Sequence, residues 1–243
     1  MSTAEPTPAT AQIPVINVSQ IDIETADRLV DAAATFGFIF VELESTNIDY
    51  NSVQHMFQLS KKFFSSPRAE KEKCAISENN KGWSSMLSET LDPENQSRGD
   101  FKEALNFGEF KDGHAQQPLP DSLVADESTL NDFFTSCHNL CVRLLQLFAM
   151  GLKIDEEAGG KDWFSSRHDQ SGPSGSILRL LHVCASHSFD QGRKDWRFYR
   201  KDGNQFRFIQ SPWIRPVHHR FWLTSVIYCH TGPVGISGVQ FTG

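Results

Sequence analysis

Imidazole is the side chain best suited to ligate a metal or move a proton near neutral pH, and this chain carries nine. Whether a histidine and a carboxylate can act on one atom depends on their spacing. Along a strand the side chains alternate sides, so donors two apart share a face, while donors one or three apart do not. His168-Asp169 is one residue too short for a shared face, His187-Ser-Phe-Asp190 is one too long, and the neighbours His218 and His219 diverge. His168 therefore reads as a structural histidine, and His218-His219 as a solvated pair. The five cysteines (Cys74, Cys137, Cys141, Cys184 and Cys229) form no CxxC, and Cys137 and Cys141 stand at i,i+4 in an apparent helix. They read as reduced, buried thiols. Neither a Gly-rich phosphate loop nor a nucleophile elbow is present, so nucleotide-binding and hydrolase functions have no carrier. The basic and aromatic run Arg193, Lys194, Trp196, Arg197, Phe198, Tyr199, Arg200 and Lys201 could hold single-stranded RNA by charge and stacking. No nucleic-acid motif accompanies it, and we expect no such partner.

The elements that must position these groups follow from hydrophobic spacing. Residues 1–12, rich in Pro, Thr and Ala, read as a disordered leader, and Ile13 to Val18 as a short buried strand with Pro14 near its start. Ala26, Leu29, Val30, Ala33 and Ala34 lie at helical spacing between Glu24 and Phe36, Gly37 stops that helix, and Phe38 to Val41 forms a second strand. Asp49 is placed to cap a helix carrying Val53, Met56, Phe57, Leu59, Phe63 and Phe64, and Pro67 to occupy the first position of a third. Residues 77 to 125 read as a long ordered loop with a short strand near Ala104 to Phe107. From Glu127 to Lys153, apolar residues from Leu130 to Leu152 keep a 3.6 period, which predicts one long amphipathic helix. A shorter helix near Glu156 to Ser165 and a strand over Ser176 to His182 complete the pattern, which fails beyond His182.

The net charge of -7 is uneven. Asp and Glu dominate residues 1–182, whereas residues 183–243 hold eight Arg or Lys, three Asp and no Glu. No run reaches the roughly 18 apolar residues of a membrane span, and the start lacks a signal-peptide pattern, so we expect a cytoplasmic protein with no membrane partner.

Five blocks, in order, resemble the isopenicillin N synthase-like family of Fe(II)/2-oxoglutarate-dependent dioxygenases: IPVINVS; AATFGFIFVE; FFSSPRAEKEKCAI; NKGWSSMLSETLDPENQSRGDFKEALNFGEF; and SILRLLH. The resemblance covers residues 13 to 182 and implies four segments. These are the leader, 1–12; a non-haem dioxygenase N-terminal domain, 13–125; the long helix and first barrel strand, 126–182; and an atypical basic and aromatic tail, 183–243. The implied fold class is α+β, the N-terminal helical and strand region of a double-stranded β-helix (jelly-roll) dioxygenase fold with its barrel incomplete. An incomplete barrel leaves a sheet edge open, through which self-association is expected.

The family's cofactors, Fe(II) and 2-oxoglutarate, and a small-molecule substrate follow from the same resemblance. So does a 2-His-1-carboxylate triad, His-x-Asp/Glu with a distant second histidine, which leaves open positions on the iron for the oxoacid and dioxygen. The residue two places beyond each histidine is, in turn, Phe57, Gln116, Leu140, Gln170, Cys184, Phe189, Arg220, Phe221 and Gly232, and none is a carboxylate. We therefore assign no catalytic residue and no metal ligand, and we expect a truncated, inactive relative. The alternatives are an active dioxygenase using His187, Asp190 and His218 or His219, and a non-catalytic protein- or RNA-binding module. The likeness stops after His182, where His-Val-Cys can be encoded with a splice-donor-like GTATGT, so an intron-derived or out-of-frame tail would explain the break. Lys81, Trp83, Asn106 and Arg179 are the substrate-facing residues that the resemblance implies. Three of them have a plainer reading: Trp83 covering the core, Lys81 solvated, Arg179 ion-paired.

Overall fold

The computed structural model describes residues 13–90, 94, 97, 99–168, 175–184, 224–230 and 235–242, from 183 onward as backbone. In chain order the elements are β1 (Val15–Ile16), α1 (Ile23–Phe36), β2 (Phe40–Val41), α2 (Tyr50–Phe64), α3 (Arg68–Glu72), β3 (Gly82–Ser84), β4 (Lys102–Phe107), β5 (Phe110–Lys111), β6 (His114–Ala115), α4 (Glu127–Gly151), β7 (Ile177–Cys184), β8 (Thr224–His230) and β9 (Gly235–Thr242). They fall into two units. Among the described residues no helix is long and apolar enough to cross a membrane.

The first unit comprises Met1–Asp49 and Asn139–Asp169. Its strands β1 and β2 are parallel, with Val15 opposite Phe40, and parallel neighbours need a crossover, which α1 supplies. The Asp22 carboxylate accepts the Thr25 N–H at 2.8 Å and so satisfies one of the orphan donors at the start of α1. The helix ends at Gly37, as its sequence predicts. The last turn of α4 lies against α1 so closely that a Cβ on Gly151 would stand 2.6 Å from the Ala26 carbonyl oxygen; only glycine admits that approach. Arg143 on α4 donates to the carbonyls of Val18 and Ser45, both at 3.3 Å, while the Ser45 hydroxyl accepts the Val18 N–H. Three 3₁₀ turns (Glu156–Ala158, Gly160–Asp162 and Ser165–Arg167) replace the short helix expected near Glu156 to Ser165. Gly159 and Gly160 both have positive φ, and a right-handed helix cannot pass through them.

The second unit comprises Tyr50–His138 and Gln170–Gly243. It is built on one antiparallel sheet in the order β3-β4-β7-β9-β8, with α2 against β7 and β9. Helix α2 buries Val53, Met56, Phe57, Leu59, Phe63 and Phe64, the residues its spacing selected. Pro67 caps α3 with ψ 144° instead of occupying its first helical position. Among its described residues, segment 77–125 holds more strand than expected: β4 begins at Lys102, and β3, β5 and β6 accompany it. Strands β5 and β6 meet through Asp112-Gly113, both with positive φ, the geometry a two-residue hairpin loop favours. The expectation that regular pattern fails beyond His182 is corrected in part. Strand β7 runs on to Cys184, and Thr224–His230 and Gly235–Thr242 pair as the antiparallel strands β8 and β9. Among the described residues the sheet stays open, with β3 and β8 at its ends and no closed barrel. Cys74, Cys137 and Cys141 are buried free thiols; the side chains of Cys184 and Cys229 lie outside the described set.

Candidate functional site

Strand β4 reads Lys-Glu-Ala-Leu-Asn-Phe, and every residue from Glu103 onward is buried, so both of its faces are covered. Alternation sends Glu103, Leu105 and Phe107 to one face and Lys102, Ala104 and Asn106 to the other. The register extends this division across the sheet. Trp83 and Leu180 stand opposite Leu105, and His182 opposite Glu103; on the second face Ser84 and Leu181 stand opposite Ala104, and Arg179 opposite Asn106.

Helices cover the first face. Phe64 of α2 stacks on the His182 ring with centroids 5.4 Å apart. Beneath it, Glu103 is a hub: its Oε2 accepts from Lys71 Nζ and from Trp83 Nε1, each at 3.0 Å, and its Oε1 lies 3.3 Å from His182 Nδ1. Lys71 also donates to the Phe64 carbonyl at 3.2 Å. Burial alone would push the Glu103 carboxyl toward its neutral form. The hydrogen bonds from His182, Lys71 and Trp83, with the Lys71 charge, outweigh burial and hold its pKa below the ordinary carboxylate value. This network fastens α3 to β3, β4 and β7, and both oxygens of its carboxylate are engaged.

The second face carries a different polar set. Arg179 Nε donates to Asn106 Oδ1 at 2.8 Å, and Asn106 Nδ2 donates to the Asn80 carbonyl at 2.9 Å. Gln117 ties the end of the strand by donating to the Asn106 carbonyl and accepting the Gly108 N–H. Ser84 donates to Glu89, which also pairs with Lys102 at 2.9 Å. Burial opposes ionisation of Glu89, but bonds from Ser84 and Lys102 and the nearby charge of Arg179 lower its pKa.

Of the four residues proposed from the sequence, Asn106 and Arg179 are thus bonded to each other. Lys81 lies along the end of β4, where a Cβ on Gly108 would stand 2.3 Å from its Cε. Trp83, only 6% exposed, lies on the opposite, helix-covered face. Lys71, Glu89, Glu103 and His182 were not singled out. Glu103 and His182 could have been found by pairing the alternation of DFKEALNF with that of SILRLLH, but nothing in the sequence marks Lys71 as buried. His187, Asp190, His218 and His219, and the run 193–201, lie outside the described residues.

The described side chains do not fit an Fe(II) centre. They contain no group of three or more His, Cys, Asp or Glu placed to hold a metal. The histidine–carboxylate pair on the sheet, His182 with Glu103, lies under α2, and the carboxylate is already occupied by Lys71 and Trp83. The other such pair, His114 with Glu127 at 3.4 Å, involves a largely solvent-exposed ring.

Comparison with known proteins gives a consistent picture. Residues 13–125 match the family described as non-haem dioxygenase in morphine synthesis, N-terminal. A UPF0676 protein of Schizosaccharomyces pombe is 32% identical over 188 residues, 76% of this chain and 55% of its own. The 2-oxoglutarate-dependent dioxygenase gloF of Glarea lozoyensis is 27% identical over 175 residues, 65% of this chain and 49% of its own. Among solved structures, full-length Neurospora crassa T7H in complex with alpha-KG superposes with a TM-score of 0.54 at 30% identity, covering 75% of this chain and 57% of that one. T7H has also been crystallised with thymine and with 5-formyluracil. The chain spans about half the length of the curated relatives it matches.

Proposed function

This chain belongs to the isopenicillin N synthase-like family of Fe(II)/2-oxoglutarate-dependent dioxygenases, with the mixed helix and strand region of their jelly-roll fold, and we propose that it is a member without iron-dependent turnover of its own. In this reading it keeps a small-molecule-facing sheet surface but does not assemble the metal centre. One observation carries the proposal: across all 243 residues no histidine has a carboxylate two places on, so no strand can present the His-x-Asp/Glu pair to one atom. Changing that spacing by one residue moves the acid to the other side of the sheet, and no rotamer recovers it.

The face that remains is the one bearing Asn106 and Arg179. Among the described residues the guanidinium spends only its Nε–H on Asn106, so further donors are free for a ligand, and Asn106 fixes the plane in which they point. Such a surface suits a small, polar, planar molecule; that T7H has been crystallised with thymine and 5-formyluracil supports this class. Substrate oxidation by a complete protein would require the family's cofactors, iron and 2-oxoglutarate.

The test is anaerobic titration of the purified chain with Fe(II) in the presence of 2-oxoglutarate, following the charge-transfer absorption of a chelated complex, with a full-length relative as positive control. No saturable band in this chain, alongside a clear band in the control, is the expected result. A band saturating near one iron per chain would overturn the proposal and leave His187, Asp190 and His218 or His219 as the candidate ligands to be tested by substitution.

A further inference from the structure

A cleft of about 220 Å³ opens between α3 and the end of β3, lined by Arg68, Lys71, Trp83, Ser85, Met86 and Glu103. It lies on the helix-covered side of the sheet, away from Asn106 and Arg179, and the function proposed above does not use it. We propose that this cleft binds a compact organic monoanion, an oxyanion such as a carboxylate carried on a small apolar body.

Lys71 is the first reason. The residue is only 9% exposed, and its ammonium has three donors. The Phe64 carbonyl takes one at 3.2 Å and Glu103 Oε2 takes another at 3.0 Å, while no described residue accepts the third. A buried ammonium that borders a cleft with a donor to spare is a site for a ligand oxygen to accept from, because leaving that donor unpaired costs free energy that the oxygen would recover.

The lining is the second reason. Two cations and one carboxylate line the cleft; Arg68 is balanced by the exposed Glu72 outside the lining and Lys71 by Glu103, whose oxygens are both engaged, so what the lining offers a ligand is hydrogen-bond donors. Arg68 gives its Nε to Glu72 at 2.7 Å, which leaves the guanidinium Nη groups at the rim for an oxyanion, and the Ser85 hydroxyl adds a neutral donor. Trp83 and Met86 provide the apolar wall, with Lys71 Nζ 5.4 Å from the indole centroid. The volume lies below the roughly 300–1,000 Å³ of drug-sized pockets, which restricts the occupant to a small molecule.

The experiment uses the full chain with benzoate as the probe and benzyl alcohol and benzylamine as neutral and cationic controls, reading thermal midpoint and tryptophan fluorescence. Benzoate is expected to raise the midpoint saturably while neither control does. In Arg68→Ala, a rim change that leaves the buried network intact, the apparent affinity for benzoate should fall about tenfold, the loss of one charge-assisted contact. Arg179→Met, on the opposite face, should leave benzoate binding unchanged, which separates this site from the surface assigned above. An equal response to benzyl alcohol, no response to benzoate, an undiminished affinity in Arg68→Ala, or loss of binding in Arg179→Met would each overturn the proposal.

Discussion

Glu103 couples folding to pH, because three donors converge on its buried carboxylate. Its folded pKa lies below the ordinary 4.5, so its stabilisation is complete above that value and is lost as the pH falls through the folded pKa. The acid limb of the stability curve should therefore be shallower in Glu103→Gln than in the parent, as measured by urea midpoints from neutrality downward. At neutral pH the same substitution leaves the Lys71 ammonium buried without its counter-charge, and removing one partner of a buried pair costs about 3–5 kcal/mol. The double variant Lys71→Met/Glu103→Gln should recover part of that loss. Equal midpoints for Glu103→Gln and the parent at neutral pH would mean that the pair contributes nothing. By contrast, the exposed pair of Arg68 and Glu72, whose side chains are 78% and 53% exposed, should be worth little, as surface pairs generally are.

At the scale of elements, the closest backbone approaches decide the outcome of substitutions that propensity would misjudge. Alanine is a better helix former than glycine by about 1 kcal/mol, so Gly151→Ala would be expected to stabilise the end of α4 if propensity ruled. A Cβ there meets the Ala26 carbonyl oxygen at 2.6 Å, and overpacking of that kind costs about 1–3 kcal/mol, so net destabilisation is the expected sign in a urea melt. Gly82→Ala should be worse. Its φ of 115° disfavours any side chain, and the added Cβ would stand 2.6 Å from the Cys74 carbonyl oxygen, next to the Trp83 N–H that bonds that same oxygen. The measurement is again a urea midpoint, together with the fluorescence of Trp83, which should shift if β3 is displaced. Much at this scale was legible in the sequence: α1, α2 and α4 follow from apolar spacing, and Gly37 marks a helix end. The hairpin of β5 and β6 was not predicted: its strands are two residues each and too short to show a period, and only the Asp112-Gly113 turn signal pointed to it.

For the whole molecule, the open edge of the described sheet bears on solution behaviour. Strand β8 stands at one end of the described sheet, seven residues long, and a free strand edge is a template for another strand. Self-association through that edge is the expected state, seen as a mass that rises with concentration in sedimentation equilibrium. A lysine in the middle of the strand, Ile227→Lys, should move the equilibrium toward monomer. A parent chain that stays monomeric across the accessible concentration range would remove the edge from consideration.

The family was legible in the sequence because its blocks are local: each strand, helix and turn is written in contiguous residues, and their order along the chain is itself the signature. The missing His-x-Asp/Glu spacing is likewise a property of the sequence, since alternation along a strand needs no tertiary information. What only the folded chain decided is which polar residues meet. Asn106 and Arg179 are 73 positions apart and Glu103 and His182 are 79, and the antiparallel register of β4 and β7 turns those separations into contacts. That register also sends Trp83 to the face opposite Asn106, although the two were grouped together from the sequence. Lys71 shows the limit most clearly. Nothing beside it in the chain distinguishes it from a solvated lysine, and it is buried because a carboxylate 32 residues away arrives at the same point.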